Sequence, residues 1–253
     1  MHETLPELLI EVTRVAREAG EILRKGTGLR QVNFQDAKDV KLAADLESEH
    51  YCRKALATFS SYPIVGEEEG GDERLPEGSQ RYWIVDPLDG TFNYLRELGL
   101  CCVSIGLMEG STPLLGVIFD FNTGELFTAA RGIDLKVNGE AVTPRWADSK
   151  MNAVLATGFP SSADFSTEAV GALIGQIQAF KKVRMIGSAA LAAAYVATGR
   201  LDVYYESGCR WWDIAAGIAL AEASGAAWRV TPVPDGPPFC VNIAIAGKRE
   251  WLP

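Results

Sequence analysis

Histidine is scarce in this sequence: His2 and His50 are the only two in 253 residues. The five cysteines, Cys52, Cys101, Cys102, Cys209 and Cys240, are odd in number and never stand as C-x-x-C. A zinc site of the usual nitrogen and sulfur ligands lacks its materials, and reduced thiols fit better than a disulfide framework. No Lys- or Arg-rich run occurs, and 33 acidic residues against 24 basic ones leave a formal charge of −9. This argues against a basic groove for nucleic acid, and an anionic ligand would have to be met by local positive charge. No apolar run approaches membrane-spanning length and no signal-peptide pattern opens the chain, so the expectation is a cytoplasmic protein with no membrane partner. Internal repeats, coiled-coil heptads and low-complexity tracts are also missing.

What is present is an ordinary globular composition, 47% hydrophobic and 23% charged, in a chain long enough to bury a core without disulfides. Leu5, Leu8, Leu9, Val12, Val15, Ala16, Ala19, Ile22 and Leu23 follow helical spacing, with Thr4 and Glu7 as a capping box and Gly26 as a stop. A polar stretch over 31–41 leads to a second helix from about Asp45 to Phe59. Ile64 and Val65 read as a short strand before an acidic, Gly-rich loop. Residues 60–145 are rich in antiparallel strands, with turns at Asn122–Gly124 and at Asn138-Gly139. From about Met151 strands and helices alternate: strands in "NAVLATGF", "VRMIG", "LDVYYES" and "NIAIAG", and helices over Thr167–Phe180, in "SAALAAAYVATG" and in "DIAAGIALAEASGA". These halves predict two lobes, 1–145 and 146–253, rigidly packed with no obvious linker.

The chemistry concentrates in "WIVDPLDGT", Trp83 to Thr91. A buried strand runs straight into two aspartates. Pro87 cannot continue a central strand, so the strand is expected to end near Asp86, and Asp89-Gly90 favours a turn with a helix from Thr91. Both carboxylates then share one turn at a strand's carboxyl end. The backbone N–H groups of Gly90 and Thr91, at a helix start, suit a phosphate. Glu67, Glu68 and Glu69 follow another short strand; taken alone they read as a solvated loop. Asp213, after Trp211 and Trp212, reads alone as a helix N-cap. Gathered in one site, such carboxylates would repel one another, and hard divalent cations with oxygen ligands would resolve the conflict, magnesium before zinc.

"GEE" at 66–68, "WIVDPLDGT" at 83–91 and "WDIAAG" at 212–217 resemble, in order and spacing, the signatures of the inositol monophosphatase family. "GVIFDFNTGELFTAA" and "RMIGSAALAAAYVATGRLDVYYE" extend the likeness over nearly the whole chain. The resemblance implies a mixed α and β fold, a layered αβαβα sandwich, and a magnesium-dependent, lithium-sensitive phosphatase acting through a metal-activated water. It implies Glu67, Asp86 and the carbonyl of Leu88 around one Mg²⁺ and Asp86, Asp89 and Asp213 around a second. Thr91 with Glu67 would orient the attacking water, and the amides of Gly90 and Thr91 would grip the phosphate. Glu68 and Asp45 match acidic positions near a third ion. Gly187, Ser188, Ala189 and Glu206, with Asp89 and Asp213, match the region that meets substrate. A homodimer is implied as well.

The sequence departs from the family at Phe34, where a lysine is frequent, and at Leu42, where a threonine is usual. Lys38 and Lys41 are near but out of register, and these departures touch the third ion. Arg210 stands near the substrate region; it could grip a second anionic group bidentately, or form a surface salt bridge. The substrate expected is a small polyol monophosphate such as inositol 1-phosphate. Histidinol phosphate, fructose 1,6-bisphosphate and a 3′-phosphorylated nucleotide are the alternatives. A non-catalytic regulatory protein that keeps the metal site is the rival of another class. A calcium module lacks its D-x-D-x-D-G loop spacing.

Overall fold

The first helix, α1 (Leu5–Lys25), forms as its spacing predicts: Leu8, Val12, Val15, Ala16, Ala19 and Leu23 are buried along one stripe. The Thr4 backbone N–H donates to Glu7 Oε2 at 3.0 Å, closing the capping box. The structure is a computed structural model that describes residues 4–26, 32–35, 40–69, 78–159, 166–233, 236–237 and 239–253. Lys38 and the side chains of Phe34 and Lys41 lie outside the described residues.

The stretch read as simply polar contains a small antiparallel hairpin, β1 (Val32–Gln35) and β2 (Val40–Leu42). It leads into α2 (Ala43–Leu56), two residues earlier than predicted. Next come β3 (Ile64–Gly66), β4 (Arg81–Asp89), the short α3 (Thr91–Leu95), β5 (Cys102–Glu109), β6 (Thr112–Asp120), β7 (Glu125–Ala130), β8 (Ile133–Val137) and β9 (Glu140–Ala141). β3 to β9 make one seven-stranded sheet in sequence order, antiparallel throughout except for the parallel pair β3–β4. Asn138 and Gly139 both adopt positive φ at the tip of the last hairpin, as an Asn-Gly turn requires.

The remaining elements are β10 (Val154–Ala156), α4 (Thr167–Ile177), β11 (Lys182–Arg184), α5 (Ala189–Ala197), β12 (Val203–Arg210), α6 (Trp211–Ser224), β13 (Ala227–Pro232) and β14 (Cys240–Ala246). Their five strands order as β11-β10-β12-β14-β13, parallel across the first three and antiparallel after. β13 is absent from the sequence reading. It has the alternation of a half-covered strand, with Trp228 and Val230 turned inward and Arg229 and Thr231 exposed.

The layers follow from which faces are apolar. Val85, Val103, Ile105, Val117 and Phe119 of the large sheet pack against α1 and α2. Its opposite face packs on α5 and α6 through Ile118, Phe127, Leu191, Ala194, Ala216 and Leu220. The other side of α6, with Ile214 and Ile218, meets Ile243 and Ile245 of the smaller sheet. Ile177 of α4, with Phe180, covers that sheet from outside, packing on Leu155, Val183 and Val203. The order helix, sheet, helix, sheet, helix is the predicted αβαβα sandwich. Alanine and glycine let the middle layer fit: a Cβ at Gly116 would collide with the Ala216 backbone, so α6 lies directly on the sheet. Among the described residues, no helix is long and apolar enough to cross a membrane.

Candidate active site

The strand carrying the central motif does not end at Asp86, as Pro87 led one to expect. It runs on to Asp89, because the proline is absorbed by a bulge: Asp86 pairs with Ser104 and Asp89 with Cys102, three steps against two. This extra residue has a chemical consequence. In a regular strand, positions three apart point to opposite faces. The bulge cancels one alternation, so Asp86 and Asp89 project from the same face, the one on which α5 and α6 lie. Leu88 faces the other way, into the core against α1 and α2.

The neighbouring elements end at the same place. β3 is parallel to β4, so Glu67 follows Gly66 beside Asp86, and its N–H donates to Val85 O at 3.3 Å. The N-terminus of α5 receives Asp89: the Ser188 hydroxyl and the Ala190 N–H (2.8 Å) donate to Oδ2, and the Ala189 N–H to Oδ1 (3.3 Å). In the first turn of α6, Asp213 Oδ2 accepts the Arg210 N–H at 2.7 Å; Asp213 is thus not the N-cap expected of it but the third residue of a helix that begins at Trp211, its carboxylate reaching back to the backbone of the capping residue Arg210.

Behind the motif stands the first turn of α2. Asp45, 2% exposed, accepts the Leu42 N–H at 2.5 Å and the Thr91 hydroxyl at 3.3 Å. That hydroxyl also lies 3.1 Å from Leu88 O, and Ser48 Oγ donates to Pro87 O at 3.0 Å. Gly90 must be glycine: its φ is +89° and a Cβ would press on Leu100 O.

One cavity of about 510 Å³ opens here. It is lined by Glu67, Asp86, Leu88, Asp89, Gly90, Thr91, Gly187, Ser188, Ala189, Glu206 and Asp213, all singled out from the sequence. Three further candidates do not line it. Asp45 lies behind Thr91, Glu68 is held by its backbone N–H to Glu49 Oε2 at 2.7 Å, and Arg210 stands half-buried at the end of β12. Asn93, Phe159 and Cys209 line the cavity without having been foreseen. Asn93 ties α3 to the segment that leads into α5, its Nδ2 donating to Leu100 O (2.8 Å) and Ile186 O (2.9 Å). A single asparagine in a short helix carries no sequence signal for such a role.

The electrostatics are those of anions held too close together. Burial, then the charges of Glu67, Asp89 and Asp213, push Asp86 well above the usual carboxylate range. Burial raises Asp89 too, against the pull of Ser188, Ala190 and Ala189. Asp213 is pushed up to about 8 by burial and by Asp89, although the Arg210 N–H and guanidinium oppose the rise. Glu206 is raised to about 7 by burial, partly offset by the Tyr204 hydroxyl.

Among the described residues, no three Asp, Glu, His or Cys side chains already stand as a ligand shell. The donors nevertheless fit a hard divalent cation. They are carboxylates and one backbone carbonyl, oxygen throughout, and their mutual repulsion is what a dication between them removes.

A consequence for stability follows. These carboxyl groups bind protons more tightly in the folded chain than in the unfolded one. Their contribution is complete below the ordinary carboxylate range and is lost as pH rises through the raised folded values, for Asp213 about 8. In EDTA, the melting temperature should fall by several degrees between pH 6 and pH 9, where ordinary carboxylates no longer titrate. Saturating Mg²⁺ should flatten the slope. A melting temperature that rises over this range in EDTA would contradict the electrostatic picture.

Known proteins resemble this chain along nearly its whole length. The model of the "Inositol monophosphatase family" matches residues 5–249. The protein named Nus factor SuhB of Xylella fastidiosa is 37% identical over 224 residues, covering 85% of this chain and 78% of that protein. The inositol monophosphatase of Mesembryanthemum crystallinum is 32% identical over 248 residues, covering 94% and 90%. Among solved structures, the inositol monophosphatase from Anabaena aligns with a TM-score of 0.82 at 30% identity, over 98% of this chain and 93% of that one.

Proposed function

This chain belongs to the inositol monophosphatase family and is a phosphoric monoester hydrolase, and from that premise we propose that it hydrolyses a small phosphorylated polyol, such as inositol 1-phosphate, with magnesium as cofactor. The family is generally metal-dependent. The observation that carries the reading is the bulge in β4, which turns Asp86 and Asp89 to one face and into a cavity shared with Glu67 and Asp213.

In this reading Glu67, Asp86 and the Leu88 carbonyl would hold one ion, and Asp86, Asp89 and Asp213 would hold a second. Bound metal supplies the positive charge that polarises the phosphate and makes water acidic enough to attack. The protein's own groups do the rest. Thr91 and Glu67 would orient the attacking water; as a proton of that water moves to Thr91 Oγ, the threonine's own hydroxyl proton would pass to the Asp45 carboxylate, which lies at hydrogen-bond distance. The N–H groups of Gly90 and Thr91 bind phosphate oxygens. Gly187, Ser188, Ala189 and Glu206, on the far wall, orient the organic part. Asp45 and Glu68 could support a third ion, but Asp45 is already engaged with Thr91 and the Leu42 N–H. The reading gives Arg210 no contact with the phosphate; its charge acts on Asp213. The segments 1–145 and 146–253 work as one unit, since Asp86 and Asp89 come from the first and Glu206 and Asp213 from the second. A homodimer is part of the proposal, and light scattering on the eluted protein checks it.

One observation favours a second reading. Relatives named Nus factor SuhB are among the most similar, so a regulatory role that retains the site is the rival. Every ligand type for two ions is present, together with Thr91, which favours catalysis. The test is phosphate release from inositol 1-phosphate, histidinol phosphate, fructose 1,6-bisphosphate and a 3′-phosphorylated nucleotide, with Mg²⁺. Release is expected, highest on the polyol monophosphate. A folded, Mg²⁺-supplied protein that releases phosphate from none of the four favours the regulatory role.

A further inference from the structure

Glu49, on α2, is fully buried, and no motif in the sequence marks it. Its carboxylate faces the loop that leaves β3. Oε2 accepts the Glu68 N–H at 2.7 Å and Oε1 accepts the Glu69 N–H at 3.1 Å, so two consecutive amides close on one carboxylate. Arg53, one turn along α2, donates through Nε to Glu49 Oε1 at 2.8 Å and through Nη1 to Ile64 O at 3.1 Å. It also reaches Glu69 Oε2 at 3.1 Å. The fit leaves no room for a side chain on the strand: a Cβ at Gly66 would collide with the Glu49 carboxylate. The loop so held has Glu67 at its centre. On its other side the Glu67 N–H makes a long backbone hydrogen bond, 3.3 Å, to Val85 O of β4.

A buried carboxylate accepting charge-assisted hydrogen bonds from successive amides fixes backbone direction more firmly than turn propensity does. The residue whose aim it fixes is one of the proposed metal ligands. Glu49 does not line the cavity, so it cannot itself touch phosphate. We propose that Glu49 is the positioning residue for Glu67: clamping the 66–69 loop to α2, with Arg53 balancing its charge, it sets the affinity for the metal without contacting metal or substrate. The proposal rests on the reading of Glu67 as a metal ligand.

The test uses the full chain and Mn²⁺ as the probe, with binding measured by electron paramagnetic resonance. Glu49→Ala is expected to weaken Mn²⁺ binding about tenfold or more, the range typical of groups that orient metal ligands. Glu49→Gln keeps the size but can accept through one oxygen only, and should fall between Glu49→Ala and the unaltered chain. The substrate KM at saturating metal should stay within about twofold for both, since uniform substrate binding is untouched. Hydrogen exchange at the Glu68 and Glu69 amides should quicken in metal-free Glu49→Gln. A purely structural role would lower the melting temperature but leave Mn²⁺ affinity, measured well below it, unchanged. Should Glu49→Ala fail to fold, Glu49→Gln and Arg53→Met carry the comparison. Normal Mn²⁺ affinity and normal amide protection in folded Glu49→Gln would overturn the proposal alone. Failure of the unaltered chain to bind Mn²⁺ would overturn the reading of the site, and this proposal with it.

Discussion

Asp86→Asn is expected to lower kcat by at least about a hundredfold at saturating Mg²⁺, the loss that follows when several kcal/mol of transition-state charge stabilisation is withdrawn. Asn keeps the size and the hydrogen-bonding shape, so the bulge and the Leu88 N–H to Oδ1 contact (3.0 Å) can persist. What disappears is one negative charge, at the position assigned to both ions. Activity should not recover fully with more metal, because no other side chain replaces a bridging carboxylate. The metal-free fold should survive and gain stability. Asp86 is buried among Glu67, Asp89 and Asp213, and its neutralisation relieves three repulsions at once. The gain should be larger at pH 8 than at pH 6, where the cluster is already more protonated. Kinetics at saturating Mg²⁺ and melting in EDTA decide the matter. Near-normal kcat would remove Asp86 from the site, and a variant unfolded in EDTA would make it chiefly a turn residue.

Why the chain runs from its core into two aspartates can now be put physically. β4 is buried on both faces, and its rigidity is inherited by the carboxylates at its end. That Asp86 and Asp89 matter was legible, since their string stands next to a buried strand. How they act together was not. Pro87 announced the end of the strand, whereas the bulge depends on the register with β5, a partner thirteen or more residues away, and no local signal encodes it. The same distinction separates the other residues. α1 and the Asn138-Gly139 turn were legible because cap, stripe and turn chemistry are local. Glu67 and Asp213 were found because each sits beside a strand end or helix start that carries its own pattern, whereas Glu206, in the middle of β12, became a candidate only through the family resemblance. Glu49 was invisible, because a glutamate on a helix reads as a solvent-facing residue unless its burial is known. Asp45 was matched to an acidic position, but its contact with Thr91 across 46 residues is purely tertiary. β13 was lost for a different reason: its alternation is short, it ends on a proline at 232, and further prolines at 234, 237 and 238 read as a loop.

The second large effect is the removal of metal, and it follows from the charge balance already described. The cavity gathers four carboxylates at its reacting end in a chain of formal charge −9. A phosphate dianion entering that field without a cation would meet repulsion, not binding, so both the attack and the prior association depend on the ion. The loss should therefore appear in kcat and in KM together, unlike the loss from Asp86→Asn, which is expected mainly in kcat. Restoration should require only the metal, because the side chains that would hold it project from a buried strand and from helices packed on its sheet. Mn²⁺ should substitute for Mg²⁺, sharing its oxygen ligands. The direct measurement is phosphate release from the preferred substrate before chelation, after dialysis against EDTA, and after Mg²⁺ is returned. Activity is predicted to fall to background and then return in full; undiminished turnover in metal-free buffer would contradict the account.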